Sequence, residues 1–120
     1  MHNSIDFTEI GFHATTFSGA GLTASMSGKA VTIVGPGVVG LGTTGDILLG
    51  KIISSNPNGD TYGIQDRGYC ELPAATKIAQ KTNVTVNGSG SVVAGSEVAL
   101  PIVVDNSKFV ADGTVCVFLG

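Results

Sequence analysis

Residues 31–46 read VTIVGPGVVGLGTTGD, and two folds compete for them. Within them GPGVVG, Gly35 to Gly40, satisfies the G-x-G-x-x-G pattern that follows a strand in dinucleotide-binding proteins. In that fold the last glycine opens a helix, and the N-terminal amides of the helix hold a pyrophosphate. The residues that follow forbid such a helix. Gly42, Gly45 and Gly50 would fall in its interior, each costing about 1 kcal/mol relative to alanine, and the β-branched Thr43 and Thr44 add to the cost. DILLGKIIS (46–54) has no 3.6-residue period and reads as a buried strand. The stretch therefore resolves into strand 29–34, a Gly-Pro-Gly turn, a short strand near 38–41, a second glycine turn and a long strand 46–54. No cofactor is expected at these glycines.

The same unit returns further along the chain. VTIVGPG (31–37) and VTVNGSG (84–90) lie 53 residues apart, and a Val-Val pair follows each. Both read as strand–turn–strand units whose glycines supply positive φ. Two hairpins alone bury too little apolar surface to fold, so they must share a core with their neighbours. A mainly β fold follows: a small glycine-rich β-barrel or sandwich with weak internal two-fold symmetry.

Between the two copies the chain reads as strand, a turn at Asn56 to Gly59, strand, a bend at Asp66-Arg67-Gly68, and strand. PAATKIAQK (73–81) is the one helix candidate, with Pro73 at its first position and Ile78 facing inward. After the second hairpin come EVALPIVVD, a turn at Asn106-Ser107, KFVAD, a turn at Gly113 and TVCVFLG. That last run is apolar nearly throughout and is expected at the centre of a sheet. Residues 1–27 stand apart, holding Phe7, Phe12 and Phe17 but only two charged side chains, Asp6 and Glu9. They read either as early core strands or as an extended N-terminal arm before a body spanning 28–120.

Composition bounds the function. The 120 residues carry 12% charged side chains against a usual figure of about 25%, and the net charge is −3. A surface so poor in charge calls for a covering partner, and nothing basic recommends nucleic acid or an anionic membrane. No run approaches the roughly 20 apolar residues of a membrane span, and MHNSIDFTEI lacks the basic and apolar regions of a signal peptide. The sequons at Asn83 and Asn87 therefore read as chance matches. Cys70 and Cys116 read as buried free thiols, with a disulfide open to them only if their strands lie side by side.

Reactive groups are sparse. The histidines are His2 and His13, and the sequence holds no C-x-x-C, H-E-x-x-H, calcium-loop, G-x-S-x-G or phosphate-loop pattern. Carboxylates fall mostly at turns, as at Asp46, Asp60, Asp66, Asp105 and Asp112. Asp66-Arg67 reads as a local salt bridge at a turn. The chain is read as a non-enzyme without metal or cofactor.

The order of features from GKAVTIVGPGVVGLGTTGDILLGKII (28–53) through QDRGYCELPAATKIAQ (65–80) and VTVNGSGSVVAG (84–95) to TVCVFLG (114–120) resembles the capsid decoration, or cement, proteins of tailed phages. The resemblance covers residues 28–120. It departs at Tyr69-Cys70, where the family pattern expects aliphatic residues. It implies a β-rich body with a short helix on the outer surface of the virion head, made in the host cytoplasm. It further implies a partnership with the major capsid protein and a homotrimer at three-fold and quasi-three-fold positions, with no nucleic acid or membrane partner. The N-terminal arm would then dock through Ile5, Phe7, Ile10, Phe12 and Phe17. A carbohydrate- or surface-binding module of a fibre or adhesin is the alternative, with Tyr62 and Tyr69 as its only tyrosine platforms.

Overall fold

A computed structural model describes residues 13–56 and 60–120. The chain is mainly β, and its first half closes into a five-stranded barrel. The strands are β1 (His13–Gly19), β2 (Ala30–Gly35), β3 (Val38–Gly40), β4 (Gly50–Ser55) and β5 (Thr61–Arg67), in the order β1-β3-β2-β4-β5 around the barrel. Only β1 and β3 run parallel. Val31, Val39, Ile52, Tyr62 and Ile64 fill the interior, each 1% exposed or less. GPGVV is thus a hairpin turn, with Gly37 at φ +67°, and no helix follows it.

The second half comprises β6 (Tyr69–Pro73), β7 (Val84–Val86), β8 (Val92–Ala94), β9 (Ile102–Asp105) and β10 (Thr114–Phe118). Its ladders form a sheet β6-β10-β9 and a hairpin β7-β8. Two single bridges join them: Ala74 with Val92, parallel, and Asn83 with Ile102, antiparallel. The resulting ring runs β6-β8-β7-β9-β10. Its interior holds Leu72, Val84, Val92, Val103, Val115 and Val117. As expected for its apolar sequence, β10 lies between two neighbours.

The two rings share one strand order, the first as a closed barrel and the second as a sheet and a hairpin joined by single bridges. Replacing β1 to β5 by β6 to β10 converts one strand order into the other, including the single parallel contact. Register agrees residue by residue: Phe17 faces Tyr62 as Leu72 faces Val115, and Ile33 faces Val39 as Val86 faces Val92. Ile52 faces Ile64 as Val103 faces Val117. Backbone bonds repeat as well. Gly28 N donates to Ile52 O at 2.7 Å, and Lys81 N donates to Val103 O at 2.7 Å. Gly28 and Lys81 both have positive φ, +92° and +68°; Lys81 is the one non-glycine with positive φ among the described residues. The echo at a spacing of 53 residues is the most visible trace of this duplication.

Three expectations need correction. Residues 73–81 are not helical: Pro73 closes the β6 ladder opposite Thr114, Ala74 N donates to Gly113 O, and Ala75 N donates to Val92 O. Amides committed to neighbouring strands cannot serve a helix, so pairing overrides a helix-compatible composition. The short helix is α1 (Phe109–Asp112), ended by Gly113 at φ +70°. The arm does not extend to residue 27, because His13–Gly19 is a barrel strand paired on both sides. Finally, 46–54 is no single strand. Its ladder begins at Gly50, and residues 45–48 cross to the second barrel.

Candidate functional site

The crossing segment builds the seam between the barrels. Thr43 N donates to Asp46 Oδ2 at 2.9 Å, and Gly45 sits at φ +96°, so the chain after β3 turns away from its own barrel. Gly45 N then donates to Val86 O at 3.0 Å, Val86 N donates to Asp46 O at 3.1 Å, and Ile47 bridges Thr85. Residues 45–47 therefore complete the free side of β7. Leu48, 3% exposed, enters the core of the second barrel.

Among the described residues, the equivalent side of β2 stays open. Its ladder with β4 ends at Val31 opposite Gly50, and no described strand continues it along Thr32–Gly35. The packing consequence is direct: Ile33 and Val34 are each 49% exposed, whereas Val86, the counterpart of Ile33, is 0% exposed. An open edge with exposed apolar side chains is a surface that invites a further strand.

The segment that would close it by symmetry is 96–99, Ser-Glu-Val-Ala against Gly-Asp-Ile-Leu at 45–48. It is held back on its own barrel. Asn83 Nδ2 donates to Ala99 O at 2.8 Å and Pro101 O at 3.0 Å, and Gly95 N donates to Asn83 O at 2.7 Å. Ala30 occupies the position of Asn83 in the first barrel and offers no such donor. Val98 is left wholly exposed, and Leu100 is 48% exposed. Between β2 and Leu100-Pro101 runs a groove of about 650 Å³ lined by Thr32, Ile33, Ile47, Asp66, Leu100 and Leu119, among others.

One polar corner borders the groove. His13 Nδ1 lies 2.7 Å from Asp66 Oδ1, and Thr15 Oγ1 donates to Asp66 Oδ2 at 2.9 Å. Burial pushes the Asp66 carboxyl upward, but the hydrogen bonds from His13 and Thr15 and the charge of His13 outweigh it and hold the carboxyl below its ordinary range. The partner of Asp66 across the fold is thus His13 and not the adjacent Arg67.

Of the residues assigned to an arm, Ile5, Phe7, Ile10 and Phe12 lie outside the described residues. Phe17 packs half-buried against the barrel core, in β1 opposite Tyr62. The exposed set at the seam (Ile33, Ile47, Val98 and Leu100) was not singled out by sequence reasoning. Its signal was there in the pairing of DILL (46–49) with EVAL (97–100), 51 residues apart, once the duplication supplies the alignment. Among the described residues no three His, Cys, Asp or Glu side chains converge on a metal position, and no helix is long and apolar enough to cross a membrane. No protein-family model matches the chain, and no curated protein matches its sequence.

Proposed function

We propose that this protein is a capsid decoration protein of a tailed phage, binding the outer face of the head and bracing contacts between major capsid subunits. The observation that carries the reading is the seam: an unpaired β edge and exposed Ile33, Ile47, Val98 and Leu100 on a body with few charges. Such a surface does its work by burial and backbone pairing across subunit boundaries. Repeated over a shell, modest contacts acquire avidity. Trimers at the three-fold and quasi-three-fold positions are the arrangement this reading takes from the family resemblance.

The test is co-sedimentation with heads assembled from tailed-phage major capsid protein, followed by heat challenge of the decorated heads. Saturable binding with a raised disruption temperature is the expected result. Heads that neither bind the protein nor gain stability would overturn the reading. The glycan-binding alternative loses one platform, since Tyr62 is 1% exposed inside the first barrel.

A further inference from the structure

We propose that the open edge of β2 is completed by residues 96–98 of a second copy of this chain, which add along Thr32–Ile33 as a short strand. The inference draws on the same seam as the capsid reading but is tested apart from it, because its contact involves only copies of this protein. The chain itself supplies the precedent. Residues 45–47 cover Thr85 and Val86 through two backbone hydrogen bonds and a bridge. Thr32 and Ile33 are the register equivalents of Thr85 and Val86, and residues 96–98 are the equivalents of 45–47.

The chemistry of the two strands agrees. Each offers an acidic residue and then a β-branched one, Asp46-Ile47 and Glu97-Val98. Both partners expose apolar surface in the isolated chain, Val98 wholly and Ile33 to 49%, while the neighbouring Thr32 is 4% exposed. Closure within the chain is opposed by Asn83, whose two hydrogen bonds hold residues 99 and 101 on their own side of the groove. Among the described residues, each copy therefore has one open edge and one unspent strand. Joining the edge of one copy to the strand of the next is a heterologous contact, which closes into a ring or continues as a chain according to its rotation.

Cross-linking between single-cysteine additions tests this directly. Ile33→Cys and Glu97→Cys variants, which stand opposite each other when Val98 faces Thr32 as Ile47 faces Thr85, are prepared separately, mixed and oxidised, with the wild type carrying Cys70 and Cys116 as the background control. A disulfide-linked pair from the mixture, absent from either variant alone, is the expected result. Sedimentation of the full chain supplies the second measurement. The wild type should self-associate, and Val98→Asp, a change at a wholly exposed side chain, should weaken association at least about tenfold with an unchanged melting transition. A double variant that links only within one chain would show the loop closing its own edge and would overturn the proposal. So would a wild type that stays monomeric at high micromolar concentration, or association that Val98→Asp leaves intact.

Discussion

Cys70 and Cys116 lie on adjacent antiparallel strands and face opposite sides of the sheet. Cys70 stands opposite Val117, and Cys116 stands opposite Glu71. Directly opposed residues share a face, and consecutive residues alternate, so the two thiols point apart. Neighbouring strands are necessary for a disulfide but are not enough. Burial raises the Cys70 thiol to about 12, and burial followed by the nearby Glu71 carboxylate raises Cys116 to about 11. Both thiols should be reduced, slow to react with a thiol reagent at neutral pH, and fully titratable in denaturant. A chain lighter by two hydrogens and lacking free thiols would contradict the register.

The Asp66 corner ties the start of β1 to the end of β5, and it has a defined pH dependence. Its folded-state carboxyl is lowered from the ordinary 3.8, so its stabilisation is complete above that value and is lost as pH falls through the folded one. Acidification from about pH 5 to about pH 3 should therefore lower the wild-type melting temperature more than that of Asp66→Asn. In His13→Ala, carboxyl NMR should place the Asp66 titration closer to its ordinary value. An unmoved titration would remove His13 as the cause.

Glycines in this chain differ sharply in what they tolerate. A Cβ at Gly50 would collide with the backbone carbonyl of Gln65, whereas one at Gly35 would meet Val38 Cβ at an ordinary 3.7 Å. Backbone cannot step aside as a flexible side-chain end can. Gly50→Ala should cost about 3 kcal/mol or more, and Gly35→Ala should change stability by well under 1 kcal/mol. Chemical denaturation of the two variants checks the contrast.

Asn83 holds the loop after β8 through bonds to Ala99 O and Pro101 O, and Pro101 O also accepts from Val84 N. Asn83→Ala should destabilise by about 1–2 kcal/mol, the net worth of the two lost hydrogen bonds, since Pro101 O still accepts from Val84 N. Asn83→Asp should be worse above neutral pH, because a carboxylate would face the Ala99 and Pro101 carbonyls. Its stability should partly recover on acidification, when the protonated carboxyl can donate. Equal denaturation midpoints for the two variants at all pH values would contradict the assigned bonds.

Much of the fold was legible because local chemistry decides it. The glycines after GPGVVG excluded a helix, the turn residues marked the hairpins, and the closing TVCVFLG run was apolar enough to sit between two strands. The failures share one cause. PAATKIAQK has the composition of a helix, yet its amides are taken by Gly113 and Val92, residues distant in sequence. Phe17 looked detached among glycines, yet its strand is paired on both sides. Ile47 read as part of a long strand, yet it serves the opposite barrel.

Sequence alone determined that this chain is a β protein of short strands with little surface charge, and it carried the repeat in VTIVGPG and VTVNGSG. Those properties follow from the conformational limits of glycine and β-branched residues, which act over a few positions. Tertiary structure alone decided that the repeat is a whole five-stranded barrel, that one edge is covered and its twin is open, and that the cysteines face apart. Each of these is a matter of register between strands far apart in the chain, and a shift of one residue there reverses which side chains are buried.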